Sequence, residues 1–252
     1  MKRSIWIAAG WVGAVAHGAA PAVAPENAMN AMTAAKPGAT PAAAAPTHFV
    51  KRDAIDFRSV LPAPPAAGSL AAQVDLEAVL QVQAWRTPEQ VAWAKVVEKD
   101  SVYNLAGIVG AWFTAENLPV TKSLFSDVGD DLRALDAASK QPFLRPRPSA
   151  VDASVQPCVA LPASTSYPSG SAMQAFVWAE ILAEIFPAKR EELLARAHRA
   201  AWGRVIGGVH FPSDVAAGRR LAEVYLAQCR TSAAFRDAVE LSRKEMAGWA
   251  GK

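Results

Sequence analysis

From Ser69 onward the chain is divided into apolar, helix-like runs by prolines that stand where a helix can start or must stop. Thr87-Pro88-Glu89-Gln90 places a capping hydroxyl directly before a proline at the first helical position. Pro119 interrupts the chain, and Thr121 is expected to cap the helix behind it. There Leu124, Val128, Leu132 and Leu135 recur at a spacing of roughly 3.6 residues and lead into Lys140. Pro168 and Ser169 open a long helix through Ala172, Phe176, Val177, Ile181, Leu182 and Ile185, which Pro187 ends. Further helices are expected over Lys189–Trp202, from Pro212 through Tyr225, and over Ser232–Met246. No run alternates with the period of a strand. The expected class is therefore all-α, a single-domain helical bundle around a buried centre.

The N-terminal end has a different composition. Lys2 and Arg3 precede an apolar run from Ile5 to Val15, and small residues follow. This order is that of an export signal over residues 1–20, with cleavage after Ala16 the favoured site. Residues 21–47 are rich in Ala and Pro and read as a flexible linker, because they offer too little apolar surface to order themselves. Residues 48–252 then form the helical domain, and Leu61-Pro62-Ala63-Pro64-Pro65 is expected to lie on it as an extended strap. The whole chain carries a formal +3. Removing the signal leaves 24 bases against 23 acids, a net +1, which gives no basis for binding a nucleic-acid polymer. An exported chain can form disulfides, so Cys158 and Cys229 are expected to pair, with two separate buried thiols as the alternative. The tryptophans at 85, 93, 112, 178 and 202 are read as core residues.

Chemistry-bearing residues concentrate between Lys140 and Asp214. Lys140, Arg147 and Arg204 are cations with few acids near them in sequence, a set suited to a tetrahedral oxyanion such as phosphate. Ser169 and Gly170 fall at a helix start, where free N–H groups also favour an anion. His210 and Asp214 are four residues apart at another helix start. The carboxylate can hold the imidazole in one tautomer, as a nucleophilic histidine requires. Each feature alone has an ordinary structural reading: surface cations, an N-cap serine, a capping aspartate.

Taken together these residues resemble the signature of the phosphatidic-acid-phosphatase type 2 superfamily, which includes vanadium haloperoxidases. That signature reads K-x6-RP, PSGH and SR-x5-H-x3-D. Lys140 with Arg147-Pro148 matches the first block. Pro168-Ser169-Gly170 matches the second up to its last residue. Arg204, His210 and Asp214 match the third, with Gly203 in place of its serine. The proline-rich stretch at 61–65, Ala183-Glu184-Ile185-Phe186-Pro187 and the region around Ala234-Phe235 are similar to bacterial class A non-specific acid phosphatases. The resemblance implies an all-α bundle of the acid phosphatase/vanadium haloperoxidase type. It also implies a periplasmic or secreted location, no cofactor and no metal, and small phosphomonoesters and inorganic phosphate as ligands. No stable membrane span is expected after signal removal, and a homo-oligomer is left open. By position, His210 would be the nucleophile, Asp214 its orienter, and Lys140, Arg147, Ser169, Gly170 and Arg204 the phosphate cradle.

The main departure is Ser171, where the family has the histidine expected to protonate the leaving alkoxide. Serine is a poor acid near neutral pH, and a missing general acid costs a factor of roughly 10²–10⁴. Alkyl esters should suffer more than aryl phosphates. His17, His48 and His198 offer no evident replacement. The expected activity is a metal-independent acid phosphatase working through a phosphohistidine. Its rival is a relative that binds phosphate and has lost turnover. A haloperoxidase and a membrane lipid phosphatase fit less well.

Overall fold

The computed structural model describes residues 47–250. The expected signal peptide and almost all of the expected linker lie outside the described residues. Helix α1 (Leu70–Trp85) starts behind Ser69, whose hydroxyl accepts from Ala72 N. Helix α2 (Pro88–Glu98) carries the Thr87–Gln90 capping box anticipated from the sequence. There follow α3 (Pro119–Lys140), α4 (Gly170–Ile185), α5 (Arg190–Ile206), α6 (Pro212–Cys229) and α7 (Ala233–Ala250). Single helical turns occur at Phe57–Val60, Ala106–Val109 and Pro148–Val151. The described residues contain no strand, so the all-α bundle expected from the sequence is the observed architecture.

The bundle is arranged around α4. Met173, Phe176, Val177, Trp178, Ile181, Leu182 and Ile185 leave it apolar over most of its circumference, and such a helix is stable only when largely surrounded. It packs against α3, α5 and α6, while α7 covers α3 and α2 covers α5. In α3, Leu124, Val128, Leu132 and Leu135 point inward as their spacing predicts. The N-terminus of α4 and the C-terminus of α3 meet in the interior, and the functional residues collect there.

The start of α3 differs from the expectation. Pro119 is itself the first helical residue, and Thr121 does not cap the helix. Glu245 of α7 accepts from Val120 N, Thr121 N and Thr121 Oγ1 at 2.9, 2.8 and 2.7 Å. A carboxylate from a neighbouring helix therefore satisfies the free N–H groups of this terminus. The segment before α1 is held in a similar way. Asp131, fully buried in α3, accepts from the backbone N–H groups of His48, Phe49 and Val50 and from the Tyr225 hydroxyl. The Tyr167 hydroxyl donates to Pro62 O and fixes the proline-rich strap.

Two expectations are corrected. Cys158 and Cys229 are both free thiols and form no disulfide. Cys229 is enclosed in the main core on α6, where burial pushes its thiol up to about 12. Cys158 lies in the loop before α4, with its sulfur against Ile206 O. The two belong to different environments. The tryptophans are also less buried than expected. Trp178 is in the core, but Trp85 at the end of α1 is 80% exposed, and Trp202 is also exposed. No helix among the described residues is long and apolar enough to cross a membrane.

Candidate active site

Four elements deliver the site. The last turn of α3 carries Lys140, and the loop behind it carries Arg145 and Arg147. The first turn of α4 carries Gly170 and Ser171. The last turn of α5 carries Arg204. The chain then reverses through Gly208, whose φ of 73° favours glycine, and presents His210 and Asp214 at the start of α6. Lys140, Arg147, Arg204 and His210 are 3–6% exposed, and all four line one cavity of about 290 Å³ with Gly170 and Ser171.

The histidine's tautomer follows from its neighbours. Arg147 NH1 lies 3.3 Å from His210 Nε2. A guanidinium can only donate, so Nε2 carries the lone pair and the ring proton is on Nδ1. Nδ1 faces Asp214 Oδ2 at 3.3 Å, with Ser166 Oγ at 3.5 Å. Burial lowers the His210 pKa to about 4. Asp214 opposes this, and the Arg147 and Lys140 charges add to it. The imidazole is therefore neutral, oriented, and turns an unprotonated nitrogen toward the cavity.

Asp214 is held from several sides. Its Oδ2 accepts from Phe211 N at 2.8 Å and from Ser166 Oγ at 2.5 Å, and its Oδ1 accepts from Arg145 NH1 at 2.7 Å. Burial works to raise its pKa, but His210, Arg145 and Ser166 together hold it below the usual carboxylate value. Arg145 in turn donates to Ser213 Oγ at 2.7 Å and to Asp75 Oδ2 of α1 at 2.8 Å. Asp75 also accepts from the Ser213 N–H and hydroxyl. A buried chain of charge thus runs from α1 through the loop to the histidine.

The cations differ in how they are engaged. Arg147 donates to Ser164 O, Val209 O and Thr165 O, which fixes its plane, and burial with the nearby Arg204 lowers its pKa to about 10. Lys140 donates to Pro168 O and pairs with Asp136 at 2.8 Å. Its pKa is lowered by burial, against the opposing effect of that carboxylate. Arg204 is different: its Nε and NH1 are buried and have no hydrogen-bond partner among the described residues. A buried, unpaired guanidinium is costly, and an oxyanion in the cavity is the group that would satisfy it. No group of three or more His, Cys, Asp or Glu side chains among the described residues is placed to hold a metal ion.

The comparisons with known proteins agree with this geometry. The PAP2 superfamily model matches residues 132–236, which contain every one of these cations together with His210 and Asp214. The chain is also similar to a non-specific acid phosphatase of Providencia stuartii, at 26% identity over 79% of this chain and 85% of that one. It is 29% identical to a non-specific acid phosphatase of Salmonella typhimurium over 77% of this chain and 81% of that one. An acid phosphatase of Zymomonas mobilis is 38% identical over 32% of this chain and 31% of its own length.

Within the stretch matched by the PAP2 superfamily model, the residues singled out from the sequence do converge, with one distinction. Ser169 is fully buried and serves as the N-cap of α4, its hydroxyl accepting from Ala172 N, and it does not line the cavity. Gly203, where the signature has serine, has a packing explanation. A Cβ there would stand 2.7 Å from Val97 Cγ2, so the close contact of α5 with α2 requires glycine. His48 contacts Asp127 and Asp130 rather than the cavity, and His198 stacks edge-on against Phe176. Glu180 and Glu184 pair with Arg190 and Arg230. Sequence reasoning missed Arg145, Asp75, Ser166 and Asp136. Only Arg145 gave a signal, as a third cation inside the Lys140–Arg147 spacing.

Removing Arg145 would leave Asp75 and Asp214 buried without their shared cation. Arg145→Leu is expected to lower the unfolding free energy by about 3–5 kcal/mol in urea titration. Arg145→Lys should recover only part of it, because an ammonium cannot bridge two carboxylates as a fork does. A loss below about 1 kcal/mol for the leucine variant would show that the network is not structural.

Proposed function

We propose that this chain is a metal-independent acid phosphatase that hydrolyses phosphomonoesters through a phosphohistidine on His210. The observation that carries the proposal is the pairing of two features in one cavity: an unprotonated His210 Nε2, and an Arg204 guanidinium with two unpartnered nitrogens, Nε and NH1. In this reading Lys140, Arg147 and Arg204 hold the phosphoryl oxygens and stabilise charge as the pentacoordinate transition state forms. The backbone at Gly170 adds helix N-terminal N–H groups. His210 Nε2 attacks phosphorus, and Asp214 stabilises the imidazolium character that develops on the ring. The names of the acid phosphatase relatives support the same reaction class. The N-terminal signal expected from the sequence supports export, with small phosphate esters and inorganic phosphate as ligands.

Ser171 lines the cavity where the family has histidine, and this supports a second reading in which the cradle binds phosphate without turnover. The experiment that separates the two is hydrolysis of an aryl phosphate by the mature protein in EDTA, beside His210→Ala. The proposal expects turnover that falls by at least about 10⁴ in the variant. No turnover together with measurable phosphate binding would favour the second reading.

The acidity of the site gives a further expectation. His210 attacks as the neutral ring, so protonation abolishes the nucleophile. Because its pKa is lowered to about 4, the neutral form persists well below the ordinary imidazole range. The acid limb of kcat/KM, corrected for ionisation of the substrate, should therefore fall near pH 4. A limb near pH 6.5 would mean that the free enzyme carries an ordinary histidine.

A further inference from the structure

The reaction proposed above needs a proton for the leaving oxygen, and the cavity wall holds few groups able to give one. Ser164 and Ser171 are hydroxyls, Gln174 is an amide, and Arg133, Arg147 and Arg204 are guanidiniums that do not surrender protons. His210 is the nucleophile. Lys140 donates to Pro168 O and pairs with Asp136, and in this reading its charge is kept to hold the phosphoryl oxygens. Asp136 is the only carboxyl among the described residues that line the cavity.

Its placement is specific. Asp136 lies one turn before Lys140 on α3, and its buried Oδ1 pairs with Lys140 Nζ at 2.8 Å. A Cβ on Gly170 would stand 2.1 Å from that same oxygen, so only glycine lets the carboxyl close on the first turn of α4. The residue after Gly170 is Ser171. The carboxyl therefore reaches the wall where the sequence lacks an acid, from a different helix.

We propose that Asp136 is the general acid and base of this site, in place of the absent histidine; this rests on the phosphohistidine reading. A phosphate monoester entering the cradle as the monoanion competes with Asp136 for Lys140 and hands its own acidic proton to the Asp136 carboxylate. His210 Nε2 then forms its bond to phosphorus as the bond from phosphorus to the leaving oxygen breaks. The Asp136 proton passes to that oxygen and releases the alcohol. In the second half, water gives a proton to the Asp136 carboxylate while its oxygen attacks phosphorus. The phosphorus–nitrogen bond breaks and its electron pair returns to Nε2. Phosphate leaves, and the acid is restored.

The test compares alkyl with aryl phosphates for the parent, His210→Ala, Asp136→Asn and Asp136→Ser, and for Asp136→Asn carrying Ser171→His. Phosphate-dependent thermal stabilisation reports folding of each variant. Asp136→Asn and Asp136→Ser should lose about 10²–10⁴ in kcat/KM on alkyl esters and less than about tenfold on aryl esters. Ser171→His should restore alkyl turnover in the Asp136→Asn background. Equal losses on both substrate classes, or a gain on both, would overturn the acid role and leave Asp136 as a modulator of cradle charge. Failure of both variants to show phosphate stabilisation would make Asp136 structural and also overturn it. The underlying phosphohistidine reading fails separately, if the parent is inactive or His210→Ala retains parent activity; a parent inactive on every ester overturns both.

Discussion

The site depends on the Asp214 carboxylate being kept charged in the interior. The group is fully buried, and a buried carboxylate without partners would take up a proton. Four donors prevent this: Arg145, Ser166, the Phe211 N–H and the His210 ring. Because Asp214 stays ionised, Nδ1 of His210 keeps its proton and Nε2 keeps its lone pair. Because Arg145 is shared with Asp75, the charge that holds Asp214 is also tied to α1. Five cations then stand in and behind the cavity wall, Arg133, Lys140, Arg145, Arg147 and Arg204, against four carboxylates, Asp75, Asp130, Asp136 and Asp214. The balance is one positive charge, a state that favours an oxyanion over an empty cradle.

The fold serves this arrangement through α4. A largely apolar helix takes the centre of the bundle, and its polar first turn is consequently placed in the interior, where Lys140 and His210 can meet it. Glycine permits the approach at Gly170, where the Asp136 carboxyl closes on the turn. Gly203 does the same for α5 against α2, and so seats the turn that carries Arg204. Two departures from the family signature thus differ in kind. Gly203 is explained by packing alone. Ser171 removes a titratable group, and the structure places a carboxyl against Gly170, the residue before it.

Much of the fold was legible because helix boundaries are local chemistry. Thr87 with Gln90, Pro212 and the apolar faces of α3 and α4 each announce themselves within a few residues. The start of α3 was misread because its cap comes from Glu245, more than 120 positions away. The same limit applies to the site. Lys140, Arg147, Arg204, His210 and Asp214 carry a spacing that can be read along the chain. Asp75 lies 138 positions before Ser213, on a helix whose one other acid, Glu77, is exposed, and nothing local separates it from a solvated charge. Asp136 looks like an ordinary partner for Lys140 one turn away. Only packing shows that its oxygen faces Gly170. The disulfide expectation failed for a similar reason, since redox compartment bears on whether cysteines can pair but not on whether they meet.

The most direct measurement is chemical trapping of the covalent intermediate. The mature protein would be mixed with a phosphorus-labelled aryl phosphate, quenched in alkali, where a phosphohistidine survives, and digested for mapping. The account predicts label on the peptide carrying His210, with the bond lost in acid. Label on a serine peptide, or rapid turnover with no trapped label under conditions where release is slow, would contradict it.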